Sequence, residues 1–272
     1  MIEIRWLGAA GLEISFDGNA LLIDPYLSRL GRIDLIFRRL RPSAERIRAY
    51  TRGLGRAVSA IVCGHTHFDH ALDIPFIARE VGCTLVGSSS LRTLTRIHGI
   101  DADIRVCTGG ERIELTGGAT AHMVPSRHGN VLLGKVPYPG EIDPRDEPPL
   151  KASQYRLGDM FMPRVEVGGV CIVHMGSANF IEAELERLGC NVLFMCVPGW
   201  KNTPGYPSRC LAVLRPEVVI PFHFDDFTSP IPKSRPVRVL PTADLKGFME
   251  EVRRHAPGTV VLVPDPHEVM RF

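Results

Sequence analysis

His65-Thr66-His67-Phe68-Asp69-His70 is the stretch whose reading decides the fold. The run before it, residues 57–63, is apolar and reads as a buried strand that Gly64 breaks. Ala71-Leu72-Asp73-Ile74-Pro75-Phe76-Ile77 follows and begins a helix despite Pro75. The motif therefore lies in a strand-to-helix loop, where α/β folds carry their chemistry. In extended backbone, residues two apart point to one side, so His65 and His67 can offer imidazoles to one cation. As the chain turns into the helix, Asp69 and His70 can reach a second cation nearby. Neutral imidazole with carboxylate suits zinc, iron or manganese better than calcium or magnesium. A polar loop that happens to be rich in histidine is the bland alternative, and the fixed order of the ligating residues weighs against it.

The chain has 272 residues, with 32 basic and 30 acidic side chains and a net charge of +2. That length buries one large core or two small ones, and balanced charge gives no electrostatic footprint for nucleic acid. Cys63, Cys83, Cys107, Cys171, Cys190, Cys196 and Cys210 include no Cys-x-x-Cys pair. Most fall inside apolar runs, which reads as buried thiols in a reducing cytoplasm rather than a disulfide framework. Met1-Ile2-Glu3-Ile4-Arg5-Trp6 alternates at once as a strand, without the regions of a secretory signal. No apolar run is long enough to cross a bilayer. A soluble cytoplasmic protein is the expectation, with no reading of its oligomeric state.

Strands open the chain at 2–6, 11–16 and 20–23, the last two joined by an Asp17-Gly18 turn. Asp24-Pro25 ends the third. The Asp24 carboxylate can accept the free ring N–H of a ligating histidine or simply cap a turn, and both readings stand. At about 27–55 the pattern is interrupted. Leu30, Ile33, Phe37 and Leu40 recur at helical spacing among Arg29, Arg32, Arg38, Arg39 and Arg41. Ser43-Ala44-Glu45-Arg46 starts a second helix carrying Arg46, Arg48 and Arg52. One reading is a solvated helix pair packed on the body. The other is a basic lid that attracts anionic substrate or rests on anionic lipid.

Strands and helices then alternate through 84–115, and a strand at 119–124 leads to His128 just beyond its end. Residues 136–158 form a loop rich in proline, long enough to point to function or disorder. A hairpin at 162–174 delivers His174-Met175-Gly176-Ser177, and a helix at 181–188 ends at Gly189. A buried strand at 192–197 feeds Trp200 and Lys201, which suit a pocket wall or a surface turn equally. A strand at 218–222 presents His223, and Asp225 and Asp226 behind it either orient that histidine or are solvated. A helix at 242–254 and a strand at 260–263 close the chain. His98 reads as a helix cap, His122 as structural, and His255 and His267 as surface residues.

The 65–70 string, Trp6-Leu7-Gly8-Ala9-Ala10-Gly11 and Leu22-Ile23-Asp24-Pro25-Tyr26-Leu27 together resemble the metallo-β-lactamase superfamily. Within it they resemble the branch of ascorbate-phosphate lactonases and N-acylphosphatidylethanolamine phospholipases D. The resemblance spans nearly the whole chain in element order. It implies one domain over 1–272 and an α/β fold, a four-layer αβ/βα sandwich of two mixed β-sheets flanked by helices. Residue patterning alone reaches only a mixed α/β fold with ligands on loops at strand ends.

The resemblance further implies that His65, His67 and His128 hold a first metal, and Asp69, His70 and His223 a second. Zinc is the expected ion, with manganese and iron as alternatives. A metal-bound hydroxide would attack the scissile group, with Asp69 orienting it, and loop 136–158 would border the pocket. One position departs from the family. Most members carry Gly-Asp where this chain has Gly176-Ser177, and that Asp bridges the metals. A hydroxyl leaves one unit of charge uncompensated, so a weaker second site is expected. His174 is expected beside the ligands or in the core. The expected function is hydrolysis of an ester, lactone or phosphodiester in an anionic small molecule, with β-lactamase activity itself not expected. A lipid-directed phosphodiesterase at a membrane surface and a non-catalytic metal-binding protein are the alternatives.

Overall fold

The computed structural model describes residues 1–131, 133–186, 188–231, 237–266 and 268–272. Strands β1 (Glu3–Gly8), β2 (Gly11–Phe16) and β3 (Asn19–Ile23) form an antiparallel meander. After helices α1 (Arg32–Phe37) and α2 (Ala44–Gly53), β4 (Ala57–Val62) joins β3 in parallel. Helices α3 (Phe68–Ala71) and α4 (Ile74–Val81) lead to β5 (Thr84–Gly87), and α5 (Ser89–Ile97) leads to β6 (Ile104–Val106). A second sheet then begins as a meander of β7 (Arg112–Glu114), β8 (Thr120–Pro125), β9 (Phe161–Val167) and β10 (Val170–Met175). It continues in parallel through α6 (Glu182–Leu185), β11 (Val192–Cys196), α7 (Tyr206–Leu214), β12 (Val218–Phe222), α8 (Leu245–His255) and β13 (Val260–Val261). Last, β14 (Val269–Arg271) returns to pair with β1. The spatial orders are β14-β1-β2-β3-β4-β5-β6 and β13-β12-β11-β10-β9-β8-β7.

Burial shows why the central strands read as apolar runs rather than as alternation. In β4, Ala60 and Val62 face the core shared by the two sheets, while Ile61 and the following Cys63 face helices α2, α4 and α5. A strand covered on both sides has no polar face to alternate with. Tyr206, Cys210 and Leu211 of α7 and Phe248 and Val252 of α8 cover the second sheet in the same way. The layers are helix, sheet, sheet, helix. This is the expected αβ/βα sandwich.

Three local expectations are corrected. The apolar spacing of residues 30–40 produces only a six-residue helix that buries none of its side chains, leaving Ile33 and Phe37 66% and 79% exposed. A helix under two turns cannot lay a stripe on the body, and the segment is anchored instead by Tyr26, Arg29 and Leu40. The helix expected at 181–188 shrinks to Glu182–Leu185. The chain also closes on β14, which the sequence reading left out because Val269-Met270-Arg271 is too short to show a period. His255 is partly exposed, and His267 lies outside the described residues.

One buried tie joins loops of the two sheets at the edge where the motif emerges. Arg29 Nη2 meets Asp225 Oδ2 at 2.6 Å, and both side chains are almost fully buried. Asp225 Oδ1 also accepts the Ala9 N–H at 2.8 Å, while Arg29 donates to the Ser229 and Asp226 carbonyls. The solvated-acid reading of Asp225 is thereby overturned. Truncating one partner leaves the other charge buried and unpaired. Arg29→Met is therefore expected to lower stability by about 3–5 kcal/mol in urea unfolding. An unchanged midpoint would show that the pair contributes nothing.

Candidate metal centre

The motif loop is fixed from three sides before any side chain is considered. Gly64 donates to Asp24 Oδ1 at 2.7 Å, and its carbonyl accepts from Phe161 N at 2.8 Å. Thr66 N donates to the Leu157 carbonyl at 3.0 Å, tying the loop to residues 136–158. Glycine is required where the loop is tightest: a Cβ on Gly64 would meet Asp24 Oδ2 at 3.0 Å. A Cβ on Gly176 would lie 3.1 Å from His174 Cε1 and 3.4 Å from His70 Cε1. Asp24 and His223 both sit at positive φ, 45° and 62°, a conformation that costs energy outside glycine and clusters at functional sites.

All six expected ligands converge. His65, His67 and His128 can each bring one ligating atom within 4.8 Å of the others, and so can Asp69, His70 and His223. His65 Nε2 and His67 Nδ1 are 3.1 Å apart. Asp69 Oδ2 lies 3.4 Å from His223 Nε2 and 3.9 Å from His70 Nε2. The two groups share one wall, with the His65 and His70 rings 3.8 Å apart.

The outward nitrogens decide which way the lone pairs point. His67 Nε2 faces the Pro137 carbonyl at 2.9 Å, His128 Nδ1 the Gly129 carbonyl at 2.7 Å, and His70 Nδ1 Asp24 Oδ2 at 2.8 Å. Carbonyls and carboxylates only accept, so each outward nitrogen carries the proton. In the neutral ring the inward nitrogen then presents a lone pair. Burial lowers His67 to about 4 and His128 to about 3, which keeps both rings neutral at physiological pH. Burial also lowers His65. Burial acts the same way on His70, but Asp24 and Asp69 outweigh it and raise its pKa. Asp69 stays ionised: burial opposes this, and the neighbouring His70 and His223 prevail. Three inward imidazoles beside a carboxylate with two more is a donor set that fits borderline cations such as zinc or iron.

The remaining expected residues take different places. Asp24 spans the Gly64 amide and the His70 ring, so it orients a histidine and does not merely cap a turn. Ser177 Oγ accepts the Gly129 N–H at 2.9 Å and thereby steadies the loop that carries His128. His174 is fully buried, its Nε2 2.8 Å from the Ala10 carbonyl. Trp200 and Lys201 do not line the cavity. Trp200 Nε1 donates to the Asp244 carbonyl at 3.2 Å, and Lys201 pairs with the Asp244 carboxylate at 2.6 Å. They hold Asp244, the residue whose carboxylate caps helix α8, rather than wall a pocket.

A cavity of about 280 Å³ opens over both groups. Beyond the ligands, Phe68, Tyr138, Phe227 and Leu240 line it, with Val131, Pro137, Pro198, Cys196 and Thr242. The sequence reading missed these wall residues, since single aromatics on separate loops carry no periodic signal. Among the described residues no lysine or arginine lines the cavity. Several of the arginines expected to form a basic lid are engaged elsewhere, as is the neighbouring Arg56. Arg32 pairs with Asp226, Arg38 with Asp34, and Arg56 with Glu3, while Arg46 donates to the Ser28 carbonyl.

An αβ/βα sandwich with this centre on its loop edge is the architecture of the metallo-β-lactamase class. The family described as a beta-lactamase superfamily domain matches residues 3–223, and the chain belongs to that superfamily. It is 26% identical to a UPF0173 metal-dependent hydrolase from Pyrobaculum arsenaticum over 276 residues, which covers all of both chains. It is 24% identical to another from Methanopyrus kandleri, which covers 98% of each. Among solved structures, Igni18, a metallo hydrolase from Ignicoccus hospitalis, aligns with a TM-score of 0.65 and 20% identity, covering 100% of this chain and 99% of that one. CmlA, a diiron β-hydroxylase from Streptomyces venezuelae, aligns with a TM-score of 0.63 and 13% identity, covering all of this chain and 54% of that one. These structural likenesses speak for the fold.

The depressed histidines set a pH dependence. An unfolded chain protonates His67 near 6.5, whereas the folded chain resists down to about 4. Its contribution is therefore present above pH 6.5 and lost as pH falls towards 4. Between about pH 6 and 4, metal-free protein should lose about 1.4 kcal/mol per pH unit more than its His67→Gln variant. Parallel stability curves in urea would refute the assignment of a buried neutral ring.

Proposed function

We propose that the protein is a metal-dependent hydrolase acting on an ester, lactone or phosphodiester bond. The observation that carries this reading is the convergence of the two ligand groups on a single cavity. His65, His67 and His128 would hold one ion, and Asp69, His70 and His223 the other. Such ions, when bound, supply Lewis acidity and a water acidified towards neutral pH. The protein's own side chains do the rest. Asp24 fixes the His70 tautomer, and the Pro137 and Gly129 carbonyls fix those of His67 and His128. Ionised Asp69 can accept a hydrogen bond from an attacking water and orient it. The apolar wall lowers the local polarity, which strengthens polar contacts made against it.

Ester, lactone and phosphodiester chemistry is favoured by the likeness of 6–11 and 22–27 to the lactonase and phospholipase D branch. Zinc is the preferred ion, and the mixed imidazole and carboxylate set also suits manganese or iron. Serine at 177 leaves the second ion with less compensating charge than an aspartate would. Zinc titrated into metal-stripped protein should therefore bind in two steps, the second weaker. His67→Ala should lose metal and turnover together on a panel of phosphodiester, lactone and thioester substrates. Two equally tight equivalents would refute the serine reading. Full turnover of the stripped mutant would refute the metal mechanism.

A second reading, a lipid-directed phosphodiesterase, draws on the exposed Ile33, Ile36 and Phe37 of α1, which stand among Arg32, Arg38 and Arg39. Apolar side chains ringed by arginine suit an anionic bilayer surface. Phosphatidylglycerol vesicles should then retain the protein at low salt and release it as salt rises. Absence of binding at low salt would dispose of this reading.

A further inference from the structure

The wall of the cavity bears on which substrate enters. Away from the ligands its described side chains are mostly aromatic, aliphatic and proline, with the Cys196 thiol and the hydroxyls of Tyr138, Ser177 and Thr242. Phe68 and Phe227 stand 6.3 Å apart between ring centroids, and Phe227 packs edge-on against His223 at 5.4 Å. Tyr138 stands edge-on to His67 at 6.3 Å on the other side. The carboxylate and imidazole side chains that line the cavity are the expected ligands themselves, and among the described residues no lysine or arginine joins them. A substrate arm carrying its own negative charge would leave water for this surface and, among the described residues, meet no lysine or arginine there, and burying an unpaired charge is costly.

We propose that the site takes an uncharged ester or lactone whose aromatic or branched apolar arm lies against Phe68, Tyr138, Phe227 and Leu240. This rests on the hydrolase reading and replaces the anionic substrate expected from the arginine-rich segment. At about 280 Å³ the cavity lies just under the range of drug-sized sites, so the substrate is small. Arginines 32, 38, 46 and 56, committed to other partners, take no part in selecting it.

Two measurements test this separately. The first is binding to metal-free protein, by ligand-observed NMR, of phenylacetone and phenylacetate, which match in shape and differ in charge. Phenylacetone should bind at least about tenfold more tightly. Equal or tighter binding of phenylacetate overturns the proposal. The second is turnover by zinc-loaded protein of p-nitrophenyl valerate against the p-nitrophenyl monoester of glutarate, which ends in a carboxylate. The neutral ester should show at least about tenfold higher kcat/KM. Thr242 is an exposed residue of the cavity mouth, so Thr242→Lys should fold and shift preference towards the charged ester. A wild-type preference for the charged ester, or a Thr242→Lys profile identical to wild type, overturns the proposal. Tight phenylacetone binding with no cleavage of either ester would refute the hydrolase reading and leave the apolar wall supported.

Discussion

Imidazole lone pairs turned towards one another inside a protein are unfavourable unless something else fixes them there. Three of the five rings hand an outward N–H to an acceptor, and two of those acceptors lie well beyond the motif. The Asp24 carboxylate at the end of β3 serves His70, and the carbonyl of Pro137 from a distant loop serves His67. The Gly129 carbonyl serves His128 within its own turn. Because Asp24 also holds the Gly64 amide, one carboxylate sets both the backbone path of the loop and a tautomer on it. Its strained φ of 45° is consistent with that double duty.

The fold exists, at this edge, to bring those acceptors into range. Parallel strands β3, β4 and β5 deliver their carboxyl ends side by side, and β11 and β12 of the other sheet do the same from the opposite side. Ligands from one sheet would form half a site. The Arg29–Asp225 pair and the Asp225 contact with Ala9 hold the β12 loop, and with it His223, against the β1–β2 turn of the other sheet. A buried ion pair is weak evidence for net stability, but it is directional. Here its direction matters more than its strength, because a slip of an ångström would part Asp69 from His223.

How much of this could be read beforehand follows from the range of each signal. Strands β1 to β5 and helix α2, with Ser43 accepting from Arg46 N at its start, rest on local period and capping, and they were legible. The 65–70 candidate ligands were legible as a cluster because their order is itself local. His128 and His223 needed the family likeness, since an isolated histidine after a strand has no distinguishing pattern. The Arg29–Asp225 tie spans 196 positions and leaves no local mark, as do the aromatic walls from loops 68, 138 and 227. The arginine-rich segment shows a different limit of sequence. Arginine is read from sequence as free charge, whereas folding gave most of these side chains carboxylates or carbonyls to hold.

Ser177 shows how one substitution redistributes work within such a site. An aspartate there would place a negative charge between the two ligand groups. The hydroxyl instead accepts the Gly129 N–H, and Gly129 is the residue whose carbonyl orients His128. The serine thus acts on the first ligand group through backbone, while the second group is left to Asp69 and, through His70, to Asp24. It also leaves the floor of the cavity less negative next to an uncharged wall. A centre so arranged would hold ions chiefly through imidazole nitrogens, and the described side chains that line the cavity beyond them are mostly apolar.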